Sequence, residues 1–219
     1  MALLRVLVAV ASAYLLGSLP FGVWVCKLRG RDPRLVGSGR TGGTNVYRTA
    51  GLGAALLTVA LDILKGFASV ELARFLLPAG VPGTAGDWAV PLAALASIVG
   101  HNYSVLAGFR GGAGTAPNIG AALAIDPLVF ALGLATGALS LITVRIASAA
   151  SLLVSVIFAV GLGWRVIDGG LAPPMLVYAA GQLALVVVAL RPNIQRLRSG
   201  TERRIDLPWS SPATPAAGS

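Results

Sequence analysis

An all-α polytopic membrane protein of about seven transmembrane helices, some short or tilted, is the fold class this sequence predicts, on three observations. Hydrophobic residues make up 56% of the 219 positions, and the mean hydropathy is +0.81. Charged residues reach only 11%, where a soluble domain carries about 25%. Apolar runs near the roughly 20 residues needed to cross a bilayer recur along the chain, with the charges gathered between them.

The first run, residues 4–26, contains Arg5 and a signal-like Ala11-Ser12-Ala13 site. Its apolar character continues past that site to Val25, which predicts an uncleaved first span. The next loop holds Lys27, Arg29, Arg31, Arg34, Arg40 and Arg48 against Asp32. The positive-inside rule makes it cytoplasmic and puts the N-terminus outside. Residues 52–77 form the second span, the base-free loop at 78–87 fits the outer face, and residues 88–107 return to the cytoplasmic side.

The tail at 191–204 carries Arg191, Arg196, Arg198, Arg203 and Arg204 and is cytoplasmic by the same rule. With residues 173–190 as one span, the apolar stretch 116–163 must supply one crossing or three. Three full crossings need more helix than those residues provide at about 1.5 Å each, so short, tilted or re-entrant helices are expected. Residues 1–204 then form a single membrane domain, and the proline-rich residues 205–219 a disordered cytoplasmic tail.

Composition also excludes function classes. The net charge of +9 resides in loops beside apolar runs, a pattern of topology and anionic headgroups rather than nucleic acid. Aromatics at 6% supply no stacking platform for single strands. Cys26 is the only cysteine and His101 the only histidine, so no intrachain disulfide, metal site or cofactor is expected.

Two glycine-rich cationic loops carry the chemistry. Residues 36–48 read VGSGRTGGTNVYR and residues 108–115 read GFRGGAGT. Glycines let backbone N–H groups approach an anion, hydroxyls donate, and arginines grip phosphate in a bidentate fashion. The first loop has P-loop spacing, but Gly43 stands at the lysine position and no strand precedes it, so nucleotide hydrolysis is rejected. Its donors are Ser38, Thr41, Thr44, Asn45 and Arg48. The second loop leads into an apolar segment, and reads either as an anion site at the first N–H groups of that segment or as a tight turn needing positive φ.

Asp62 and Lys65, spaced i, i+3, read as a structural ion pair. His101 is either a helix–helix hydrogen bonder or a site residue. Arg145 lies among apolar residues, with Ser148 and Ser151 after it, and is a functional candidate for that reason, the alternative being a boundary residue snorkelling to the interface. An H-x-x-x-x-D acyltransferase motif is absent, since Leu106 occupies the acidic position after His101.

These stretches, with residues 17–22 (GSLPFG), 61–66 (LDILKG), Gly100-His101 and the tail Asn193…Arg196…Gly200…Glu202, resemble one family over nearly the whole chain. It is the bacterial membrane family of acyl-phosphate:glycerol-3-phosphate acyltransferases. The resemblance implies seven membrane helices in the bacterial inner (plasma) membrane, with the active site facing the cytoplasm. It also implies transfer of a fatty acyl chain from acyl phosphate to the 1-hydroxyl of glycerol 3-phosphate, giving lysophosphatidic acid without a cofactor. Carried over by motif, Ser38, Arg48 and Asn193 are implied as catalytic. Thr44, Asn45, His101, Arg110, Gly111, Gly112, Gly114, Arg145, Ser148 and Ser151 are expected to bind substrate, and Glu202 to be structural.

The chain departs from that pattern. Arg110 and Ala113 stand where two lysines are usual, Arg40 replaces an asparagine, Gly43 an alanine, and Leu190 a histidine. The expected partners are the two phosphorylated substrates and membrane lipid, with no nucleic acid. The competing reading is a non-catalytic or transport-like relative that binds phosphorylated lipid precursors without turnover.

Overall fold

The computed structural model describes residues 1–77 and 85–205, which form α-helices and short 3-10 turns without strands. Most of the loop expected at the outer face, residues 78–84, lies outside the described residues, as does the expected tail from residue 206 onward. Ile205 belongs to the body of the protein: its N–H donates to the Arg145 carbonyl at 2.7 Å.

Helices α1 (Ala2–Gly17) and α2 (Phe21–Lys27) together make one apolar span, Ala2–Lys27, broken just before Phe21 by Pro20, which has no N–H to continue the ladder. A short helix, α3 (Gly43–Ala50), follows the first glycine loop, and Gly51 turns the chain into α4 (Leu52–Leu76). Helix α5 (Ala85–Asn102) leads to the second glycine loop. Then come α6 (Thr115–Ile125), α7 (Pro127–Thr143), α8 (Ala147–Ile167), α9 (Met175–Ala189) and α10 (Arg191–Arg198). Four helical segments are long and apolar enough to cross a membrane, or five if α9 and α10, bent by 67°, count as one. Pro192 cannot donate back along the helix, which accounts for that bend.

The stretch expected to cross once or three times is divided into three helices, α6, α7 and α8. At 11 residues, α6 is about 16 Å long, roughly half the hydrocarbon core. Asp126 makes the break: its Oδ1 accepts the Leu128 and Val129 N–H groups, each at 3.0 Å, and Pro127 opens α7. The other oxygen of Asp126 accepts from Arg165 Nε at 2.6 Å, tying the start of α7 to the end of α8.

So short a helix buries little area of its own, and backbone proximity holds it. A Cβ on Gly66 of α4 would lie 2.0 Å from the Pro117 carbonyl oxygen, and one on Gly120 of α6 would lie 1.9 Å from that of Ile63. Only glycine permits this approach, the usual device of helix association in lipid. Behind α6, Tyr178 Oη donates to Asn118 Oδ1 at 2.6 Å and Asn118 Nδ2 donates to Gln182 Oε1 at 2.7 Å. Gln182 Nε2 in turn donates to the Ser155 carbonyl at 2.8 Å. This buried chain joins α6, α8 and α9 beside a core of Ile98, Val70, Phe158 and Leu162. Leu56, Leu64, Leu139, Ile142 and Val160 point outward, as lipid-facing residues do.

Candidate active site

The first glycine loop is shaped by its own polar residues. Asp32 caps the 3-10 turn Pro33–Leu35, accepting the Arg34 N–H at 2.9 Å. The Arg34 guanidinium hydrogen-bonds the same carboxyl and holds its pKa down to about 2. Beyond the turn, Gly37 and Gly39 adopt φ of +61° and +69°, which side chains rarely tolerate.

Asn45 closes the loop on itself. Its amide nitrogen donates to the carbonyls of Pro33, Val36 and Arg40 at 2.6, 3.0 and 2.8 Å, and its oxygen accepts the Ser38 N–H at 3.2 Å. Both polar atoms of Asn45 are therefore committed within the protein. The structure makes it the organiser of the loop, with Ser38 exposed at the crest. Arg29 and Arg31, counted only as topological charges from the sequence, cap α3 by donating to the Ala50 and Thr49 carbonyls. Asn45→Ala removes a hub of hydrogen bonds each worth about 1 kcal/mol, so a loss of roughly 2–4 kcal/mol is expected. Denaturation of detergent-solubilised protein measures it, and an unchanged midpoint would show the hub to be dispensable.

The two glycine loops meet directly: the Thr41 N–H donates to the Gly111 carbonyl at 3.2 Å. Below them, the Gly112 N–H donates to the His101 carbonyl at 3.0 Å, and the His101 ring lies against Gly112. A third side comes from the α9–α10 bend and the tail. Arg40 Nη1 donates to Asn193 Oδ1 at 2.9 Å and Nη2 to the Ala189 carbonyl. Asn193 Nδ2 passes the chain on to Glu202 Oε1 at 2.6 Å, and the Glu202 carboxylate also accepts from Arg196 Nε at 2.7 Å and Ser148 Oγ at 3.1 Å. Burial opposes ionisation of Glu202, yet the bonds from Asn193, Arg196 and Ser148 prevail and hold its pKa below the ordinary value. Burial lowers the Arg40 pKa, helped by repulsion from Arg196 and opposed by Glu202, but an arginine there stays charged.

These elements enclose a cavity of about 340 Å³. Its head is polar, with Ser38, Arg40, Thr44, Arg48, Asn193 and Arg203 on the wall. Its other end is apolar, running along Leu134, Gly137, Ala138 and Leu141 of α7 and Ala150 and Val154 of α8. The acids on the wall, Asp62 and Glu202, are ion-paired to Lys65 and Arg196, so three arginines set the charge of the head. Among the described residues, no three His, Cys, Asp or Glu side chains form a metal cluster.

Of the residues expected from sequence, Ser38, Thr44, Asn45, Arg48, His101, Gly112, Ser148, Ser151, Asn193 and Glu202 line this cavity. Four do not. Arg110 is exposed on the second loop and does not reach the cavity wall. Gly111 packs on the carbonyls of His101 and Asn102, and Gly114, at φ +84°, forms the N-cap of α6 against Ile98 and Asn102. Arg145 sits in the turn between α7 and α8 at φ +60°, outside both helices, and its carbonyl rather than its side chain anchors the tail. Sequence reasoning also overlooked a cavity residue. Asp62, read as half of a structural ion pair, does pair with Lys65 at 2.8 Å but faces His101 Nδ1 at 3.6 Å on the cavity wall. The i, i+3 spacing found the pair and hid the third member, 36 residues further on in α5.

A polytopic helical membrane protein whose cavity is lined by arginines and hydroxyls on one part and apolar side chains on another is the class that this fold and site define. Residues 7–200 match the family model for glycerol-3-phosphate acyltransferase. The chain is 42% identical to a glycerol-3-phosphate acyltransferase of Symbiobacterium thermophilum, covering 88% of this chain and 90% of that one. It is 39% identical to glycerol-3-phosphate acyltransferase 1 of Deinococcus radiodurans, over 92% and 96% of the two chains. Among solved structures it is similar to the integral membrane glycerol 3-phosphate acyltransferase PlsY (YgiH) in its glycerol 3-phosphate form. That similarity has a TM-score of 0.81 and 34% identity, over 92% of this chain and 96% of the other. The chain belongs to the glycerol-3-phosphate acyltransferase family, and it is an integral membrane enzyme of lipid synthesis.

Proposed function

We propose that this chain transfers a fatty acyl group from acyl phosphate to the 1-hydroxyl of glycerol 3-phosphate, giving lysophosphatidic acid and inorganic phosphate. The observation that carries the reading is one cavity with an arginine-rich head and an apolar limb. Both substrates carry phosphate, and one carries a long apolar chain, so the reaction needs two anion cradles beside a slot open to lipid. Ser38, Arg48 and the N–H groups near Gly112 form the cradles. The face made by Gly137, Ala138, Leu141 and Val154 takes the acyl chain.

Acyl phosphate is an activated electrophile with a good leaving group. Holding its carbonyl against the attacking hydroxyl, with arginine charge on the departing phosphate, supplies most of what the reaction needs. The apolar residues Ala113 and Leu190 line the same cavity, and Arg40 brings its charge from the opposite loop. In this reading residues 1–204 act as one domain in the bacterial plasma membrane with about seven spans, α6 being a short one, and the positive-inside rule applied to the cationic loops supports a site at the cytoplasmic face.

Purified protein with radiolabelled glycerol 3-phosphate and palmitoyl phosphate tests the reading, with labelled lysophosphatidic acid as the expected product. Arg48→Ala and Ser38→Ala each remove a donor to phosphate. A charged hydrogen bond is worth about 1.5–3 kcal/mol, so Arg48→Ala should lower kcat/KM roughly 10–150-fold. Absence of product at saturating substrate would sink the proposal, whatever the variants do.

A further inference from the structure

We infer that Arg203, carried by the C-terminal segment, holds a substrate phosphate in the cavity, so that the tail completes the binding site. The role rests on the proposed reaction and adds a third cation to its cradles.

By sequence, Arg203 is one of five tail arginines that set topology. The structure separates it from the others, because it alone of the five borders the cavity. Its neighbour Arg204 is exposed and does not reach the wall. The backbone is fixed on either side of Arg203. At one end the Glu202 carboxylate accepts from Asn193, Arg196 and Ser148. At the other the Ile205 N–H donates to the Arg145 carbonyl at 2.7 Å. A held segment, not a free end, therefore presents Arg203 to the cavity.

The protein does not use this guanidinium for itself. Glu202, next in the chain, would be its natural partner, but Oε1 already accepts from Asn193 and Ser148, and Oε2 from Arg196 Nε. Arg203 makes no hydrogen bond or ion pair to another described residue. Arg40 is the contrast, with Nη1 given to Asn193 and Nη2 to the Ala189 carbonyl. An arginine presents five donors in a planar fork that matches phosphate, and at Arg203 that fork is unspent.

Charge points the same way. Each substrate phosphate carries roughly −1.5 to −2 near pH 7. Lys65 and Arg196 are committed to Asp62 and Glu202. The second glycine loop brings no cation to the wall, since Ala113 lines it and Arg110 does not reach it. Two phosphates would then face only Arg40 and Arg48, both supplied by the first loop and the helix after it. Arg203 brings charge from another side, where Glu202 meets Ser148 at the start of α8. The rival reading leaves Arg203 as surface charge attracted to anionic headgroups, a property that Arg204 would share.

Steady-state rates with each substrate varied in turn test the role. Arg203→Ala should raise KM for glycerol 3-phosphate or for palmitoyl phosphate about 10-fold, with kcat within about 3-fold. The substrate affected identifies the phosphate that is held. Arg203→Lys, which keeps the charge, should recover part of the loss, and Arg204→Ala should change neither KM. Unchanged KM values for both substrates in Arg203→Ala overturn the inference, as does an equal effect of Arg204→Ala. A second measurement needs no variant: tryptic cleavage after Arg203 of the unmodified protein should slow when the held substrate is added. A cleavage rate that neither substrate alters also overturns the inference. If the unmodified protein makes no product, the acyl-transfer reading fails and the cleavage rates still decide whether Arg203 meets a phosphate.

Discussion

Gly112→Ala is expected to cut acyl transfer by about 10²-fold or more while the protein still inserts and purifies. An alanine Cβ at this position would lie 2.0, 2.9 and 3.0 Å from Nε2, Cε1 and Cδ2 of His101. That ring is 4% exposed and held between α4 and α5 by backbone and charge contacts, so it has no room to retreat. The second glycine loop must move instead, and it carries the Gly111 carbonyl to which Thr41 is tied. A shift of about 1 Å at a positioned phosphate costs on the order of 10² in rate. Gly163→Ala is the matched control: it lies in α8, a Cβ there meets nothing within 4 Å, and alanine favours helix by about 1 kcal/mol. Initial rates for both variants beside the unmodified protein decide the matter. Equal rates for Gly112→Ala and the control would show that the loop position is not critical.

Glu202→Ala is expected to be nearly as damaging, by a different physical route. The carboxylate is 8% exposed and accepts from Ser148, Asn193 and Arg196. Asn193 is in turn the partner of Arg40. Without Glu202 the half-buried cluster keeps Arg40 and Arg196, which repel each other, and loses the carboxylate that offsets them. The tail and the α9–α10 bend should then detach from the first loop, seen as faster proteolysis after Arg196 and a fall in kcat/KM of about 10- to 100-fold.

The pH dependence follows with a definite sign. Glu202 has a folded pKa below its ordinary 4.5, so its contribution is present above that value and is lost as pH falls through the lowered one. The tail should therefore stay docked at neutral pH and loosen only in acid. Glu202→Gln, which lacks the charge at every pH, should behave at pH 7 as the unmodified protein does in acid. A Gln variant indistinguishable from the unmodified protein in proteolysis and rate would show that charge is not what docks the tail.

How much of the site was legible varies with how local its chemistry is. Ser38, Thr44 and Arg48 stand within one loop, and their close spacing already brings them to one cavity wall without help from distant parts of the fold. Asn45 shared the same stretch, and its type alone does not reveal that both polar atoms turn inward to three carbonyls and one N–H. Arg110 and Arg145 lie off the cavity wall for a related reason. Each has the right chemistry near the right loop, but direction depends on backbone dihedrals: Phe109 and Arg145 both adopt φ of +60°, a conformation no composition argument foresees for non-glycine residues. Asp62 shows the opposite error, since its nearest sequence partner masked the spatial one.

The sequence by itself determined that the chain lives in a membrane, which stretches are apolar enough to enter it, and where the glycine-rich cationic loops lie between them. Those properties are sums over neighbouring residues, and neighbours along the chain are enough to evaluate them. Only the tertiary structure decided how α6, α7 and α8, into which residues 116–163 divide, are held together: Asp126, which caps α7 locally, also accepts from the distant Arg165 at the end of α8. It also decided that His101 meets Asp62 and that Arg40 reaches Asn193 across 153 positions. Contacts of that kind depend on how helices pack, and helix packing is settled by glycines that admit a neighbouring backbone rather than by any local preference.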